Sequence, residues 1–312
     1  MELSLLTDIS LDCFGDLCLN VTQSHGNLKI QTMKGHFKSF AAAASCSLML
    51  AFSRSAQAQV ITLHDNNSTA VVDTGSQSGM FHWDVQGQNQ LVQQWFWYRV
   101  GVNPEQSIDT LNFAPKVISS TANTLSTTYF GNGFNIQLTY QLTGGAVVTA
   151  GQVGTADVAE TIKVNNTTGT PLDFHLFQYS DFDLGGAGND IVSLSTNSHG
   201  LFNEADQNDN GAVLIESVTG VTPGANHGEV AFFNNTLNKL NNGTPDNLND
   251  SAGPVGPGDV TWALQWDLSV GANNSKIVSK DKQLNVGIVP EPSSFALLGL
   301  GLAAFTLRKK RA

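Results

Sequence analysis

Short segments of alternating apolar and polar residues, separated by turn residues, run through the chain from residue 59 to residue 288. Alternation with a period of two is typical of β-strands that bury one face, and no part of this region keeps helical apolar spacing over three turns. Glycines at Gly131, Gly133, Gly144 and Gly145 suit the positive φ angles of tight hairpins. The sequence therefore predicts an all-β fold, with residues 59–288 forming a single large β-sandwich. The predicted strands are Gln59–Leu63, Leu91–Val102, Thr110–Phe113, Thr124–Phe130, Phe134–Thr143, Ala146–Gly151, Ala156–Val164, Leu172–Phe182, Ala212–Glu216, Gly228–Phe233, Val260–Leu268 and Ser275–Gly287.

Two stretches do not fit the strand pattern, Ser193–Asn210 and Leu237–Gly258. The second is rich in Asn, Gly and Pro, which is typical of a long surface loop. We expect it to be either an ordered excursion or a mobile flap.

Cysteine content and charge restrict the chemistry of this domain. All three cysteines, Cys13, Cys18 and Cys46, precede residue 59, so disulfides, thiolate catalysis and cysteine-bound metals are excluded from it. Its 230 residues are enough for one hydrophobic core.

Residues 59–307 contain 22 acidic and 7 basic side chains, so the surface repels nucleic acid and attracts cations. We therefore expect no nucleic-acid partner.

The C-terminal 24 residues contain three elements in sequence: Val289–Pro292, the uncharged 15-residue segment Ser293–Leu307, and a basic cluster. Pro290 and Pro292 hold the backbone around Glu291 extended and exposed. A helix over the 15 uncharged residues is about 22 Å long, short of a hydrocarbon core of about 30 Å. The cluster favours a cytoplasmic C-terminus with the domain outside, and consists of Arg308, Lys309, Lys310 and Arg311.

This tail resembles the PEP-CTERM sorting signal of exported proteins of Gram-negative bacteria. The resemblance is confined to these 24 residues and implies recognition by an exosortase-type membrane enzyme. It also implies delivery to the cell envelope, the cell surface or the extracellular matrix. Because the apolar segment is short, we expect a transient transmembrane helix in the inner membrane, and the alternatives are an ordinary anchor or an amphipathic tail.

Residues 33–58 contain the three parts of a secretory signal peptide, which indicates passage through the Sec translocon. A basic segment from Met33 to Lys38 is followed by the apolar segment Ser39–Phe52 and by a cleavage site at Ala56 and Ala58. Residues 1–32 precede a complete signal. They are therefore predicted to be an extension upstream of the true translation start at Met33.

One candidate calcium site surrounds the glycine-rich segment after the strand Leu172–Phe182. Residues 185–192 fit a single copy of the G-G-x-G-x-D-x-U repeat of calcium-binding β-rolls, although one copy does not support that fold. Asp181, Asp183 and Asp190 around this loop could supply oxygen ligands for a hard cation. The alternative is a glycine turn flanked by solvated aspartates.

A second candidate calcium loop matches D-x-[DN]-x-[DN]-G, with Asp206, Asn208 and Asn210 as ligands before Gly211. The usual acidic residue at position 12 is replaced by Ser217, so a helical EF-hand is not expected. The alternative is a polar β-turn. Calcium is the one cofactor that the sequence suggests.

The segment from Gln94 to Arg99 has the densest aromatic content of the chain. In a strand, Trp95 and Trp97 share one face and could form a platform on which sugar rings stack. The alternative is that both faces of this strand are buried.

Signs of catalysis are sparse, since no HxH, HExxH, G-x-S-x-G, Walker or dinucleotide-binding motif occurs after residue 59. His175, Tyr179 and Asp181 share one face of a predicted strand and could serve a polysaccharide lyase or hydrolase. We expect instead a non-enzymatic exported protein, structural or associated with glycan such as exopolysaccharide. The alternatives are a polysaccharide-acting enzyme and a calcium-dependent carbohydrate-binding module.

Overall fold

The computed structural model describes residues 8–14, 17–24, 27–33, 60–186, 188–209, 212–219 and 224–287. It divides into two compact units, Met1–Ala56 and Gln57–Ala312. The first unit contains a three-stranded antiparallel sheet in the order β1 (Asp8–Phe14), β2 (Leu17–Ser24), β3 (Asn27–Met33). The predicted signal peptide beyond Met33 and the sorting segment lie outside the described residues. No helix within the described ranges is long and apolar enough to cross a membrane.

The second unit is built almost entirely of strands. In chain order these are β4 (Val60–Asp65), β5 (Ser68–Asp73), β6 (Gly79–Val85), β7 (Gln88–Asn89), β8 (Leu91–Val100), β9 (Gln106–Ser107), β10 (Ala114–Ser120), β11 (Thr124–Gly131), β12 (Phe134–Gly144), β13 (Val153–Asn166), β14 (Leu172–Phe182), β15 (Asp190–Thr196), β16 (Phe202–Asp209), β17 (Ala212–Thr219), β18 (His227–Phe232), β19 (Val255–Gly258), β20 (Val260–Val270) and β21 (Ser275–Gly287). A 3-10 helix spans Ile108–Thr110, and the short helix α1 spans Asn235–Leu240.

These strands form two large sheets. Sheet A has the order β10-β11-β12-β13-β21-β17-β16-β15-β19, and sheet B has the order β18-β20-β14-β8-β6-β5-β4. The two-residue strands β7 and β9 pair at the side of β6 and β8. Neighbouring strands of the described unit are antiparallel, apart from a short parallel contact between β6 and β8. The predicted β-sandwich is confirmed.

The central strands of sheet B are buried on both faces. Every residue from Leu176 to Phe182 in β14 and from Val260 to Trp266 in β20 is buried. One face contacts sheet A, as the hydrogen bond between Gln178 on β14 and Glu216 on β17 shows. The other face lies beneath residues 234–250, which we call the covering segment. Burial on both faces also encloses polar residues of these strands, such as Gln178 and Gln265.

Two glutamates and two lysines lie fully buried in the interior, on three adjacent strands of sheet A. Lys282 Nζ lies 2.5 Å from Glu160 Oε1 and 2.8 Å from Glu216 Oε2, and Lys280 also pairs with Glu160. Burial opposes ionisation of Glu160, but the two lysines outweigh it and hold the pKa of that carboxyl below its usual range. Burial lowers the pKa of Lys280 to about 8 against the attraction of both glutamates. The four charges balance, which is what permits their burial.

Strand boundaries differ from the sequence predictions in two ways. Neither Thr110–Phe113 nor Ala146–Gly151 forms a strand, since the first begins at the end of the 3-10 helix and the second is irregular. The strands of this unit that were not predicted are β5, β6, β7, β9, β10, β15, β16 and β19. In β16 the inward positions include the polar residues Gln207 and Asp209. The sequence of this strand therefore lacks the alternation of apolar and polar residues by which strands were predicted.

Candidate metal centre

Three aspartates meet at one end of sheet B, where β14 and β20 lie side by side. Asp181 on β14 is the direct cross-strand partner of Thr261 on β20. Side chains two residues apart share a face of a sheet, so Asp183, two residues after Asp181, and Asp259, two residues before Thr261, lie on the same face. The antiparallel register therefore places Asp183 opposite Asp259, next to Asp181.

The geometry of this group suits a cation. One carboxylate oxygen from each of Asp181, Asp183 and Asp259 lies within 4.8 Å of the others. Ca²⁺–oxygen distances are about 2.3–2.6 Å, so oxygens that share one ion are separated by at most about 5 Å. Asp181 is only 2% exposed, whereas Asp183 and Asp259 are half-buried. Solvent therefore reaches this group of carboxylates from the side of Asp183 and Asp259, but not from the side of Asp181.

Burial and mutual repulsion disfavour ionisation of these carboxyls. Burial, followed by the charges of Asp183, Asp259 and Asp190, raises the pKa of Asp181 to about 7. Burial raises the pKa of Asp190 to about 6, against hydrogen bonds from Leu184 N–H and Gln207. Burial and the charge of Asp259 also raise the pKa of Asp183. A cation bound here would reverse these shifts, since it attracts the ionised form of each group.

Several buried oxygens at this end of the sheet have no hydrogen-bond donor among the described groups. They are Asp181 Oδ1, Asp190 Oδ1 and Asp259 Oδ1. The second oxygen of Asp190 accepts from Leu184 N at 3.0 Å and from Gln207 Nε2 at 2.7 Å, which fixes the loop after β14. A buried carboxylate oxygen without a donor is costly unless a ligand supplies its partner.

Four buried glutamates in the described unit have a basic partner, whereas the buried Asp209, close to Asp190, has no ion pair among the described residues. Glu105 pairs with Arg99 at 2.6 Å, Glu229 pairs with Lys239, and Glu160 and Glu216 share two lysines. No ion pair joins Asp181, Asp183, Asp190 or Asp259 to a basic side chain in the described residues. These carboxyls are therefore neutralised either by protonation, as the raised pKa values of Asp181 and Asp190 indicate, or by a bound cation.

The structure brings together two of the three residues of one predicted calcium loop, and calcium binding there stays a prediction. It brings Asp181 and Asp183 together, with Asp190 close enough to influence the pKa of Asp181. The sequence analysis missed Asp259. The signal available was an aspartate directly before the predicted strand Val260–Leu268, but its relevance depends on pairing with β14.

The second predicted calcium loop is wrong. Asp206 and Asn208 lie within the regular strand β16, where they pair with Ile215 and Val213 of β17. Alternation points both side chains away from the buried positions Gln207 and Asp209, so they do not converge as loop ligands would. Asn210 lies outside the described residues.

The predicted sugar-stacking platform is also wrong. Trp95 and Trp97 are both fully buried, so neither ring face is available to a saccharide. Trp95 Nε1 donates to Ser107 Oγ at 3.0 Å, and Trp97 Nε1 donates to Asn241 Oδ1 of the covering segment at 3.2 Å. The covering segment thus closes the face that the sequence pattern left open.

The strand face of β14 that was considered as a catalytic face does not form one accessible site. His175 lies at one end of β14 and Asp181 lies near the other, with Phe177 and Tyr179 fully buried between them. Six residues of strand separate them by about 20 Å. His175 Nδ1 instead lies 2.6 Å from Asp267 Oδ1, and His227 lies 3.4 Å from the other oxygen of Asp267. His175 and Asp181 therefore do not form one catalytic group.

The C-terminal segment has a clear relationship to known proteins. Residues 289–311 match the family model of the PEP-CTERM protein-sorting motif. The chain carries a PEP-CTERM sorting motif. The resemblance drawn from the Pro-Glu-Pro tripeptide, the apolar segment and the basic cluster is thereby confirmed. The motif implies Sec export, processing by an exosortase, and a location at the cell envelope or surface.

No curated protein matches the chain. Similar solved structures include a galactose mutarotase related enzyme from Lactobacillus acidophilus, 7% identical, with 74% of this chain and 99% of that chain covered at a TM-score of 0.48. A candidate aldose 1-epimerase from Escherichia coli K12 is 10% identical, with 73% and 99% covered and a TM-score of 0.48. A galactose mutarotase-like protein from Lactobacillus casei ATCC 334 is 8% identical, with 72% and 99% covered and a TM-score of 0.41. Likeness at these values carries no argument about activity.

Proposed function

We propose that this exported chain is a non-enzymatic protein of the cell surface or extracellular matrix whose β-sandwich binds Ca²⁺ at Asp181, Asp183 and Asp259. The apolar segment of its sorting motif anchors it transiently in the inner membrane before processing. The observation that carries the calcium proposal is the convergence of three carboxylates within 4.8 Å, without a basic partner among the described residues. Export supports it as well, because low-affinity calcium sites are used by extracellular modules.

The ligand set favours Ca²⁺ over other cations. All the converging groups are carboxylates, which are hard oxygen ligands suited to Ca²⁺, Mg²⁺ or Mn²⁺ rather than to Zn²⁺. Mg²⁺ requires near-ideal octahedral geometry at about 2.0–2.1 Å, whereas Ca²⁺ accepts irregular arrangements. A group assembled from two strand ends, partly open to solvent, suits the more tolerant ion.

Thermal unfolding of the exported protein in Ca²⁺, in Mg²⁺ and in a chelator tests this proposal. Ca²⁺ at about a hundred times its Kd adds about 2.7 kcal/mol to the free energy of unfolding, which raises the Tm of a domain of this size by about 5–10 °C. Asp183→Asn and Asp259→Asn are expected to abolish the shift. Asp206→Asn removes a carboxylate from the rejected loop and is the matched control, which should keep it.

Terbium luminescence provides a second readout, since Tb³⁺ occupies calcium sites and accepts energy from nearby aromatic rings. The same two variants should lose the signal, and the Asp206→Asn control should retain it. Equal melting temperatures of the wild-type protein in Ca²⁺ and in chelator, without terbium binding, would refute the proposal.

A further inference from the structure

Calcium bound at the three aspartates would keep coordination positions free on its outer side. Ca²⁺ takes six to eight oxygens, and three carboxylates supply at least three and at most six. Asp181 closes the inner side, while Asp183 and Asp259 are half-buried at the open end of the sheet. The remaining positions therefore point to solvent, where water or the hydroxyl groups of a ligand could fill them.

One exposed aromatic ring, that of Phe233, lies on the same face as this open side. The backbone N–H of Phe233 donates to Asp259 O at 3.0 Å, so Phe233 lies directly across from Asp259 on the neighbouring chain segment. Side chains in such opposed positions have Cβ atoms about 4.5–5.5 Å apart. Phe233 is 42% exposed and Phe232 is 50% exposed. Phe232 pairs with Val260 and its ring lies beside Gly258, so alternation places it on the opposite face from Asp259.

The combination of a solvent-facing cation and an adjacent apolar ring matches the chemistry of a sugar. Two neighbouring hydroxyls of a pyranose can replace two waters on Ca²⁺, and the CH-rich face of the same ring can pack on an aromatic side chain. The chain has a net charge of −11, and three carboxylates outweigh one Ca²⁺. Local and overall charge therefore disfavour an anionic glycan.

We propose that Ca²⁺ at Asp181, Asp183 and Asp259 anchors a saccharide-binding site, in which two vicinal hydroxyls of a neutral glycan coordinate the ion and its apolar face packs on Phe233. This proposal rests on the calcium site proposed above. It differs from the platform expected at Trp95 and Trp97, because the aromatic ring now lies at the exposed end of the sheet beside the ion.

The test uses the exported protein and an array of neutral and anionic glycans, in Ca²⁺ and in chelator. The proposal expects retention on neutral glycans with vicinal hydroxyls, lost in chelator and in Asp183→Asn. Phe233→Ala should weaken retention at least about tenfold, equivalent to about 1.4 kcal/mol, while terbium binding stays unchanged. Phe113→Ala removes another exposed phenylalanine, 69% exposed, and is the control that should bind like the wild type.

The possible outcomes separate the two proposals. Absence of terbium and calcium binding overturns both. Normal calcium binding without glycan retention, retention only on anionic glycans, or retention unaffected by chelator or by Phe233→Ala overturns the saccharide site alone. Release of cleaved glycan from the array would instead contradict the non-enzymatic function.

Discussion

Asp181 is buried next to other carboxylates, and its effect on stability depends on what neutralises it. In the calcium-free folded protein its pKa is about 7, compared with 3.8 for an unperturbed aspartate. Between these two pH values the folded state holds a proton that the unfolded state has released. The free energy of unfolding therefore falls as the pH rises through this window.

We predict that the calcium-free protein loses about 2 kcal/mol of unfolding free energy between pH 5 and pH 7 through Asp181. Saturating Ca²⁺ should reduce this loss, because the ion stabilises the ionised carboxylate. Asp181→Asn should reduce the pH dependence of the calcium-free protein in this range, leaving the part that comes from Asp190 and Asp183. Urea unfolding at the two pH values measures the effect, and a flat profile for the wild type in chelator would contradict it.

At the residue level, the sequence predicts which side chains lie close together only where those residues are near one another in the chain. Asp181 and Asp183 are two positions apart at the end of one strand, and alternation alone places them on one face. Asp259 joins them only through the register of β14 with β20, which no local pattern reveals. The loop of Asp206 and Asn208 failed for the opposite reason, because a short oxygen-rich motif occurs equally well in a regular strand.

At the scale of secondary-structure elements, the covering segment decides which side chains of sheet B are accessible. Its Asn247 accepts from Arg99 Nη2 at 2.7 Å and from Gln265 Nε2 at 2.9 Å. Glu105 accepts both from Arg99 and from the Asp246 N–H. The sequence predicts a surface loop here, but not that it lies over β8, because the two segments are about 140 positions apart. The burial of Trp97 follows from that contact.

Arg99→Met is expected to lower the free energy of unfolding by about 3–5 kcal/mol, because Glu105 would remain buried without its cation. The double variant Arg99→Met/Glu105→Gln should recover part of this loss. Denaturant unfolding measures both, and hydrogen exchange should show faster exchange at residues 246–249 in the single variant. A loss below about 1 kcal/mol would show that Glu105 does not depend on Arg99.

At the scale of the whole molecule, the four buried charges connect the two sheets. Glu216 of sheet A accepts from Lys282 at 2.8 Å and from Gln178 of sheet B at 3.0 Å. The all-β class and the single sandwich could be predicted from alternation. The buried charges could not be predicted from the sequence. Lys280 and Lys282 occupy inward positions of β21, where a charged side chain would ordinarily be taken to face solvent.

We predict that Lys282→Met destabilises the protein by about 3–5 kcal/mol, since Glu160 and Glu216 would then share one lysine. The double variant Lys282→Met/Glu216→Leu removes one charge of each sign and should restore most of this stability. Lys276→Met on the exposed part of the same strand is the matched control and should change stability by less than about 0.5 kcal/mol. Equal effects of Lys276→Met and Lys282→Met in chemical unfolding would contradict the role of the buried charges.

The position of β21 in sheet A has a consequence for the timing of folding during export. β21 pairs with β13 on one side and β17 on the other, so it alone joins the two halves of the described sheet. It is also the last described strand in the chain and ends at Gly287, immediately before the sorting motif at residues 289–311. While residues 275–287 are still inside the translocon, β13 and β17 have no common partner, and neither lysine has reached Glu160 and Glu216. Sheet A can therefore be completed only after residues 275–287, the segment directly before the sorting motif, have joined it.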